Sequence, residues 1–251
     1  MGLNVDTLIH EIGAGQMEIN FFHDHPLGLA DEVFFFKRTV RETALRHDMY
    51  ATFMAKPYSG WTGSGMHIHV SLGDDAGNNL FAAEDPTQNE LLMHAIGGLK
   101  AAMAESMLIF APNANSYRRF RRNSYAPVSA SWGINNRTVS LRIPAGPPKA
   151  CHIEHRPSGA DANPYLVMAA ILAGMHYGFD RFLRHAELTE WLHATAAAHG
   201  EVLRDHALVL DGHLPAAELD EARTGLPVQF EERRPSHLSA PAARRPRRCS
   251  T

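Results

Sequence analysis

One short stretch near the start of the chain, residues 8–20, constrains the fold more than any other. Two segments that contain apolar residues flank the small pair Ala14 and Gly15, and this pattern is typical of a β-hairpin. A two-residue turn at this pair places Glu11 directly opposite Glu18, because residues that pair across two strands point to the same side of the sheet. The sequence therefore predicts a hairpin with one apolar face and one acidic face.

The two facing glutamates can be explained in two ways. Like charges directly opposite each other destabilise a strand pair, but a hard cation such as Mg²⁺ or Mn²⁺ takes carboxylate oxygens as ligands and removes the repulsion. The alternative is an edge hairpin whose carboxylates are hydrated. The hairpin alone leaves both explanations open.

Polar and apolar residues alternate in a second segment, residues 66–72. In a β-strand this alternation places His67, His69 and Ser71 on one face and the apolar residues on the other. Two histidines on one strand face can converge on a metal ion or a phosphate, or they can face solvent. The glycine-rich residues 60–65 that precede them let a ligand approach the backbone.

The chain has an unusual density of arginine between residues 118 and 142. These arginines are Arg118, Arg119, Arg121, Arg122, Arg137 and Arg142. A guanidinium group binds two oxygens of a carboxylate or phosphate at once, and a solvated basic loop is the alternative for the first four. A third alternating segment places His152, Glu154 and Arg156 on one strand face, as in a polar site or a structural ion pair.

Helical periodicity predicts two helices in the first half of the chain, over about residues 29–46 and 87–106. The adjacent Gly97 and Gly98 are expected to loosen the second helix. A third helix begins at Asn163, which is a favourable N-cap followed by proline at the first helical position.

Two further β elements are predicted. Residues 49–55 are expected to form a strand, and a second hairpin is expected to turn near Asn135 and Asn136, joining residues 128–132 to residues 137–143. Together with the helices, these elements predict an α+β fold, a mostly antiparallel sheet flanked by helices.

Composition excludes several classes of protein. The formal net charge of -3 is not the basic charge that is typical of a nucleic-acid-binding protein. No apolar run reaches the roughly 18 residues of a membrane span. Cys151 and Cys249 form neither a metal spacing nor a disulfide framework, and the N-terminus does not read as a signal peptide. We therefore expect a cytoplasmic protein, whose residues 226–251, rich in proline and arginine, form a disordered tail.

Several short motifs follow one another in an order that identifies a family. They are His10-Glu11 with residues 15–18, Lys56-Pro57, residues 63–69, residues 115–119, Asn136-Arg137 with residues 141–144, Glu154 with Arg156, and residues 163–165. Over residues 7–178 the chain resembles the catalytic domain of the glutamine synthetase superfamily, and within it the γ-glutamylpolyamine synthetase-like branch. The resemblance implies a catalytic domain over residues 1–225.

The resemblance also implies roles for individual residues. The metal ligands for Mg²⁺ or Mn²⁺ would be Glu11 and Glu18 at one site, with His67 and Glu154 at a second. The glutamate site would comprise Gly63, His67, Arg119 and Arg156, and the ATP site His69, Ser71, Arg137 and Arg142. The catalytic arginines would be Arg119, Arg137 and Arg142.

The chemistry implied by the resemblance is ATP-dependent ligation. The γ-carboxylate of glutamate attacks the γ-phosphate of ATP to give γ-glutamyl phosphate, and an amine then displaces phosphate. The expected partners are glutamate, ATP and an amine, without nucleic acid or membrane. Family members form ring-shaped homo-oligomers.

The chain also departs from the family pattern. Tyr125 stands where the family has a glutamate that helps to bind ammonium, which favours an organic amine over ammonia as the acceptor. Thr62 replaces an asparagine and His152 an arginine. The N-terminal β-grasp domain and an acidic strand of the family have no counterpart, so the alternative is a truncated, inactive relative with at most partial metal or nucleotide binding. A metal-dependent phosphatase is a weaker alternative, since no dedicated nucleophile is evident.

Overall fold

The computed structural model describes residues 2–122 and 124–181. The predicted tail and the end of the predicted domain lie outside these residues. The described residues all fall in the first of two compact units, Met1–His213. Their elements are, in chain order, β1 (Val5–His10), β2 (Met17–Phe21), α1 (Pro26–Arg46), β3 (Ile68–Val70), α2 (Glu90–Met103), α3 (Met107–Phe110), α4 (Ala114–Tyr117), β4 (Trp132–Ile134), β5 (Leu141–Ile143), β6 (Ile153–His155) and α5 (Pro164–Arg181), with short 3-10 helices at Pro86–Gln88 and Pro148–Ala150.

The strands form two small sheets. Strands β1 and β2 form an antiparallel pair, and the other four lie in the order β3-β6-β5-β4. In this sheet β6 is antiparallel to both β3 and β5, whereas β4 is parallel to β5. The α+β prediction is therefore confirmed, but the sheets are small and mixed, and the description as mostly antiparallel holds only in part.

Alternation along the strands gives the four-stranded sheet one apolar and one polar face. Ile68, Leu141 and Ile153 are buried in a core that also includes residues of α2 and α5. Their strand neighbours His69 and Glu154 are paired across β3 and β6. The predicted alternation of residues 66–72 is thereby confirmed, although β3 itself is shorter.

The hairpin turns where the sequence predicts, but its register differs. The backbone N–H of Gln16 donates to the carbonyl of Gly13 at 2.9 Å, and Gly15 has a φ of 68°, as a turn at residues 14–15 requires. However, Ile9 pairs with Glu18, and the N–H of Glu11 donates to the carbonyl of Gln16 at 2.9 Å. The prediction that Glu11 lies directly opposite Glu18 is therefore wrong.

The observed register differs from the predicted one by two residues and places Ile9, not Glu11, opposite Glu18. Two additional residues, Ile12 and Gly13, enter the loop, and because strand side chains alternate with a period of two, a shift of two residues keeps Glu11 and Glu18 on the same side. They become diagonal neighbours, for which a separation of about 7–8 Å is typical.

The predicted second hairpin is wrong, because β4 and β5 run parallel. The Asn136 side chain explains part of the difference. Its Oδ1 accepts from the N–H of Thr138 at 2.9 Å and from its hydroxyl at 2.7 Å, which begins an Asx turn. The chain therefore loops over residues 135–140 instead of reversing directly.

Two other predicted elements change. Within residues 2–122 no strand forms at residues 49–55, because a strand requires a paired ladder and the carbonyl of Ala55 accepts only a bond from Ser64, at 2.9 Å. Helix α1 begins at Pro26, three residues earlier than predicted, since proline fits the first helical position.

Gly98 of α2 allows close packing rather than loosening the helix. A Cβ atom at Gly98 would lie 2.2 Å from the carbonyl oxygen of Gly174 and 2.4 Å from the nitrogen of Gly178. The backbones of α2 and α5 therefore approach more closely than any side chain at this position allows.

No helix among the described residues combines the length and the apolarity needed to span a bilayer.

Replacing Gly98 with alanine should destabilise the fold. We expect Gly98→Ala to lower the free energy of unfolding by about 1–3 kcal/mol through overpacking, measured by urea denaturation. Gly28→Ala is the matched control, because a Cβ there meets no atom closer than 3.8 Å and alanine favours the helix by up to about 1 kcal/mol. Equal effects of the two changes would contradict the close crossing.

His155 is the exception on the apolar face of the sheet. Its ring is fully buried and packs against Phe110, with ring centroids 4.6 Å apart. Neither ring nitrogen has a hydrogen-bond partner within the part of the chain that the structure describes. Desolvation, followed by the electrostatic effect of nearby His67, lowers the pKa of His155 to about 3, so that the ring is neutral in the folded protein.

This buried ring predicts a loss of stability in acid. Because an unfolded histidine has a pKa of about 6.5, the unfolded chain binds the proton more tightly. The contribution of neutral His155 is therefore complete above pH 6.5 and is lost as the pH falls toward 3. We expect His155→Phe to remove up to about 1.4 kcal/mol of this loss per pH unit, measured by urea denaturation at pH 7, 6 and 5, with exposed His47→Phe as the control. Parallel pH profiles for the parent chain and His155→Phe would contradict the assignment.

Candidate functional site

The polar face of the four-stranded sheet is organised around the carboxylate of Glu154. Arg142 donates from Nη1 to Oε2 at 2.6 Å, and Arg156 donates from Nη1 to Oε1. The Nδ1 atom of His67 lies 3.2 Å from Oε1. Only 3% of Glu154 is exposed. Strand pairing brings these side chains together, because Arg142 and Glu154 are cross-strand partners.

The charge of Glu154 is fixed by its neighbours. Desolvation alone would raise the pKa of this carboxyl group. The hydrogen bonds from His67 and Arg142 and the charge of Arg156 outweigh the desolvation, and the pKa of Glu154 falls well below its usual range. The carboxylate therefore stays ionised throughout the physiological pH range, and it fixes the two guanidinium groups.

Each of these arginines also makes a second bond that sets its direction. Arg142 donates from Nη2 to the side-chain oxygen of Asn135 at 2.9 Å, and Arg156 donates from Nη2 to the backbone carbonyl of Tyr125 at 3.1 Å. The Nε atoms of both arginines are buried without a hydrogen-bond partner among the described residues. Buried donors are nearly always paired, so these two N–H groups are exceptions in this cluster.

Arg119 lies beside this cluster and is almost fully buried. Its Nη1 and Nη2 atoms donate to the carbonyls of Pro157 and Arg156, both at 2.7 Å. Desolvation, followed by the charge of Arg156, lowers the pKa of Arg119 to about 10. Arg119 therefore holds the backbone after β6 in place, and only its remaining N–H groups are available to a ligand.

The glycines of residues 60–65 make room for Arg119. A Cβ atom at Gly63 would lie 2.6 Å from Cγ of Arg119. A Cβ atom at Gly65 would lie 3.1 Å from Nη2 of Arg119 and 3.2 Å from Nε2 of His67. The structure thus brings together Gly63, Arg119, Arg156 and His67, the residues predicted for glutamate.

Gln16 is a site residue whose role the sequence did not reveal. Its Oε1 accepts from the N–H of Gly13 at 3.1 Å and from the hydroxyl of Thr62 at 2.8 Å. Its Nε2 donates to the carbonyl of Gly63 at 3.0 Å and to the hydroxyl of Ser64 at 3.1 Å. The Gln16 amide therefore fastens the acidic hairpin to the glycine-rich loop. The only sequence signal was its place in the motif of residues 15–18.

The hairpin carboxylates fit a divalent cation by donor type but not by donor number. Glu11 and Glu18 offer oxygen atoms, which Mg²⁺ and Mn²⁺ prefer. Within the part of the chain that the structure describes, no three histidine, cysteine or acidic side chains are grouped closely enough to hold a metal ion. A cation at the hairpin would therefore complete its coordination with water or ligand oxygens, as Mg²⁺ commonly does.

The second predicted metal pair is arranged differently. His67 and Glu154 are in contact, but the Glu154 carboxylate already binds the guanidinium groups of Arg142 and Arg156. A second cation at this carboxylate would compete with two positive charges. In this arrangement Glu154 fits the role of an anchor for arginine better than that of a metal ligand.

The residues predicted for ATP are only partly assembled. His69 lies next to His152, with its Nδ1 atom 2.9 Å from Nε2 of His152. Ser71 is exposed beyond the end of β3, and Arg137 is exposed in the turn between β4 and β5. Among the ATP residues, Arg142 joins the Glu154 cluster directly, whereas Arg137 makes no contact with that cluster among the described residues.

Comparison with known proteins identifies the family of the chain. The family model for the glutamine synthetase catalytic domain matches residues 1–198. The chain is 48% identical over 186 residues to the gamma-glutamylputrescine synthetase PuuA of Escherichia coli (strain K12), which covers 74% of the chain and 39% of that protein. It is 42% identical over 185 residues to a glutamate–isopropylamine ligase of a Pseudomonas species, covering 73% of the chain and 40% of that protein.

A glutamine synthetase of Thermococcus kodakarensis is 44% identical over 173 residues, which cover 68% of the chain and 38% of that protein. The chain thus spans about two fifths of the length of these curated relatives. Since the family model matches well over half of the chain, the chain belongs to the glutamine synthetase family, through its catalytic domain.

Proposed function

We propose that this chain forms the catalytic part of an ATP-dependent ligase that joins an amine to the γ-carboxyl group of glutamate. The single observation that supports this proposal best is the ionised Glu154 carboxylate, which holds Arg142 and Arg156 with an unpaired Nε–H on each. A phosphoryl group and a glutamate carboxylate are anions, and buried guanidinium groups are their usual partners.

The proposed reaction requires negative charge to be stabilised at two stages. The γ-carboxylate oxygen of glutamate forms a bond to the γ-phosphorus of ATP, and ADP leaves with the bonding pair. The amine nitrogen then attacks the acyl carbon, and phosphate leaves as the amine loses its proton. Arg142 and Arg156, fixed by Glu154, stabilise the charge on the transferred group, as phosphoryl transfer generally requires.

The glycine-rich loop and Arg119 would position the glutamate substrate. Gly63 and Gly65 let Arg119 lie directly against the loop backbone, where a Cβ atom would clash with the arginine side chain, and the Gln16 amide holds this loop against the hairpin. Glu11 and Glu18 would hold Mg²⁺ or Mn²⁺, which when bound supplies charge neutralisation to the phosphates.

We further propose that the acceptor is an organic amine. Tyr125 has a φ of 57°, a left-handed conformation that is uncommon for an aromatic residue. Its carbonyl binds Arg156, and its side chain is 58% exposed. The residue therefore lies at the edge of the arginine cluster, where a neutral ring offers no negative charge to ammonium. Two relatives are named for organic amines, putrescine and isopropylamine.

The test is a direct search for product. Purified chain is incubated with ATP, Mn²⁺, glutamate and equal concentrations of isopropylamine and ammonia, and the γ-glutamyl products are measured by mass spectrometry. We expect the isopropylamide to dominate, and Tyr125→Glu to shift the product ratio toward glutamine by about tenfold, equivalent to about 1.4 kcal/mol.

The matched control is Tyr117→Glu, which adds the same charge at another exposed tyrosine, 45% exposed, near the arginine-rich segment. It should leave the product ratio unchanged. A ratio that does not respond to Tyr125→Glu, or one that shifts equally in both variants, would contradict the acceptor assignment.

A relative that binds ligands without catalysis is the second candidate. The observation that favours it is the small number of metal-binding side chains, since no group of three is found among residues 2–122 and 124–181. This candidate predicts that the chain binds ATP with Mn²⁺ but forms no γ-glutamyl product with any amine. Product formation above that of a Glu154→Gln chain would exclude it.

A further inference from the structure

Two aromatic rings lie together on the loop that leads into the glycine-rich segment. The ring centroids of Tyr58 and Trp61 are 5.0 Å apart, and the two ring planes are inclined at 50°. The pair is open to solvent, since 61% of Tyr58 and 50% of Trp61 are exposed. Exposed tyrosine and tryptophan rings are typical of surfaces that bind a ligand or partner. In residues 58–65 this aromatic pair is the only large apolar surface among small and polar residues.

The backbone on which the aromatic pair lies is fixed by bonds that do not involve the rings. The Lys56 ammonium group donates to the carbonyl of Trp61, and the N–H of Trp61 donates to the carbonyl of Tyr58 at 3.3 Å. The hydroxyl of Thr62 donates to Oε1 of Gln16 at 2.8 Å. Either ring can therefore be removed without loss of the bonds that hold the loop.

The aromatic pair borders the proposed glutamate site. Arg121 donates from Nη1 at 3.3 Å to the carbonyl of Ser59, which lies between the two aromatic residues in the sequence. Trp61 is two residues from Gly63, where a Cβ atom would lie 2.6 Å from Cγ of Arg119. Because consecutive Cα atoms are about 3.8 Å apart, the backbone of Trp61 lies within about 8 Å of this contact.

The surroundings of the aromatic pair are basic. Residues 49–73 and 106–153 contain no aspartate or glutamate, whereas Lys56 and Arg121 both bond to the loop that carries the pair. Desolvation, followed by the charge of Arg121, lowers the pKa of Lys56, as expected for two cations that lie close together. A single exposed ring attracts a cation only weakly, so these surroundings favour an uncharged ligand group over a further cation.

We propose that Tyr58 and Trp61 bind the carbon substituent of the acceptor amine by apolar contact, and that the preferred acceptor is a primary amine with an uncharged alkyl group. This inference rests on the proposed function. The reacting nitrogen loses its proton when the amide forms, whereas a second ammonium group on the acceptor would keep its charge near Lys56 and Arg121. The two rings determine specificity and take no part in bond formation.

The length of the acceptor tests this contact. Purified chain is given ATP, Mn²⁺, glutamate and methylamine, propylamine or butylamine, and kcat/KM for each amine is measured from the γ-glutamyl product by mass spectrometry. Each methylene group that the rings cover should raise kcat/KM by up to about fourfold. Trp61→Ala should abolish most of this increase and leave methylamine nearly unchanged. Tyr50→Ala, the control, removes a ring that is 92% exposed and should change neither.

A parent chain without this dependence on length overturns the proposal, as does a dependence that persists in Trp61→Ala or falls equally in Tyr50→Ala. Tyr58→Ala replaces Trp61→Ala if circular dichroism shows that the tryptophan variant does not fold.

The diamine 1,4-diaminobutane separates apolar contact from cation binding, because it is butylamine with a second ammonium group. We expect the parent chain to prefer butylamine. A preference for 1,4-diaminobutane overturns the apolar assignment, and its loss in Trp61→Ala would show that the rings bind a cation instead.

Saturation-transfer nuclear magnetic resonance tests the contact without catalysis. The aromatic protons of the chain are saturated in the presence of Mg²⁺, glutamate and butylamine, without ATP. We expect more magnetisation to reach the terminal methyl group than the methylene group next to nitrogen, and this difference to be lost in Trp61→Ala but kept in Tyr50→Ala. Absent transfer in the parent, or equal transfer in Trp61→Ala, overturns the proposal. The expected transfer in a chain that forms no product with any amine supports the contact and contradicts the proposed function.

Discussion

The candidate site depends on one buried negative charge. Glu154 is placed on the polar face of the sheet by the alternation of β6, and its carboxylate would be costly to bury without partners. Arg142 on the neighbouring strand, Arg156 beyond the strand end and His67 before β3 supply those partners. Because both carboxylate oxygens are engaged, the two guanidinium groups point in fixed directions, and we propose that they form a preorganised anion site.

The parts of this arrangement that follow from local chemistry could be predicted from the sequence. Strand alternation predicted that His67 and His69 share a face, and that Glu154 and Arg156 do so. N-cap and proline preferences predicted the start of α5 at residues 163–164, where the Asn163 side chain accepts from the N–H of Tyr165 at 3.0 Å. Each of these predictions needs only a few neighbouring residues, and the structure confirms each of them.

Most of the errors concern contacts between residues that are far apart in the sequence. The register of the first hairpin depends on the Gln16 side chain, which bonds to residues 46–48 positions away in the sequence, so the pattern around Ala14 and Gly15 could not reveal it. The Asn136 side chain contributes to the parallel pairing of β4 and β5, because its bonds to Thr138 begin a turn before β5. The sequence suggested that Gly98 destabilises its helix. In the structure it allows close contact with Gly174 and Gly178 on the opposing helix.

The most direct test is whether Glu154 organises the anion site. ATP with excess Mn²⁺ is titrated calorimetrically into the parent chain, into Glu154→Gln, which keeps the shape of the side chain but loses its charge, and into Glu42→Gln as an exposed control. We expect saturable binding by the parent and the control, and binding at least about tenfold weaker by a Glu154→Gln sample whose circular dichroism matches the parent. Equal affinity of a folded Glu154→Gln chain would contradict the account.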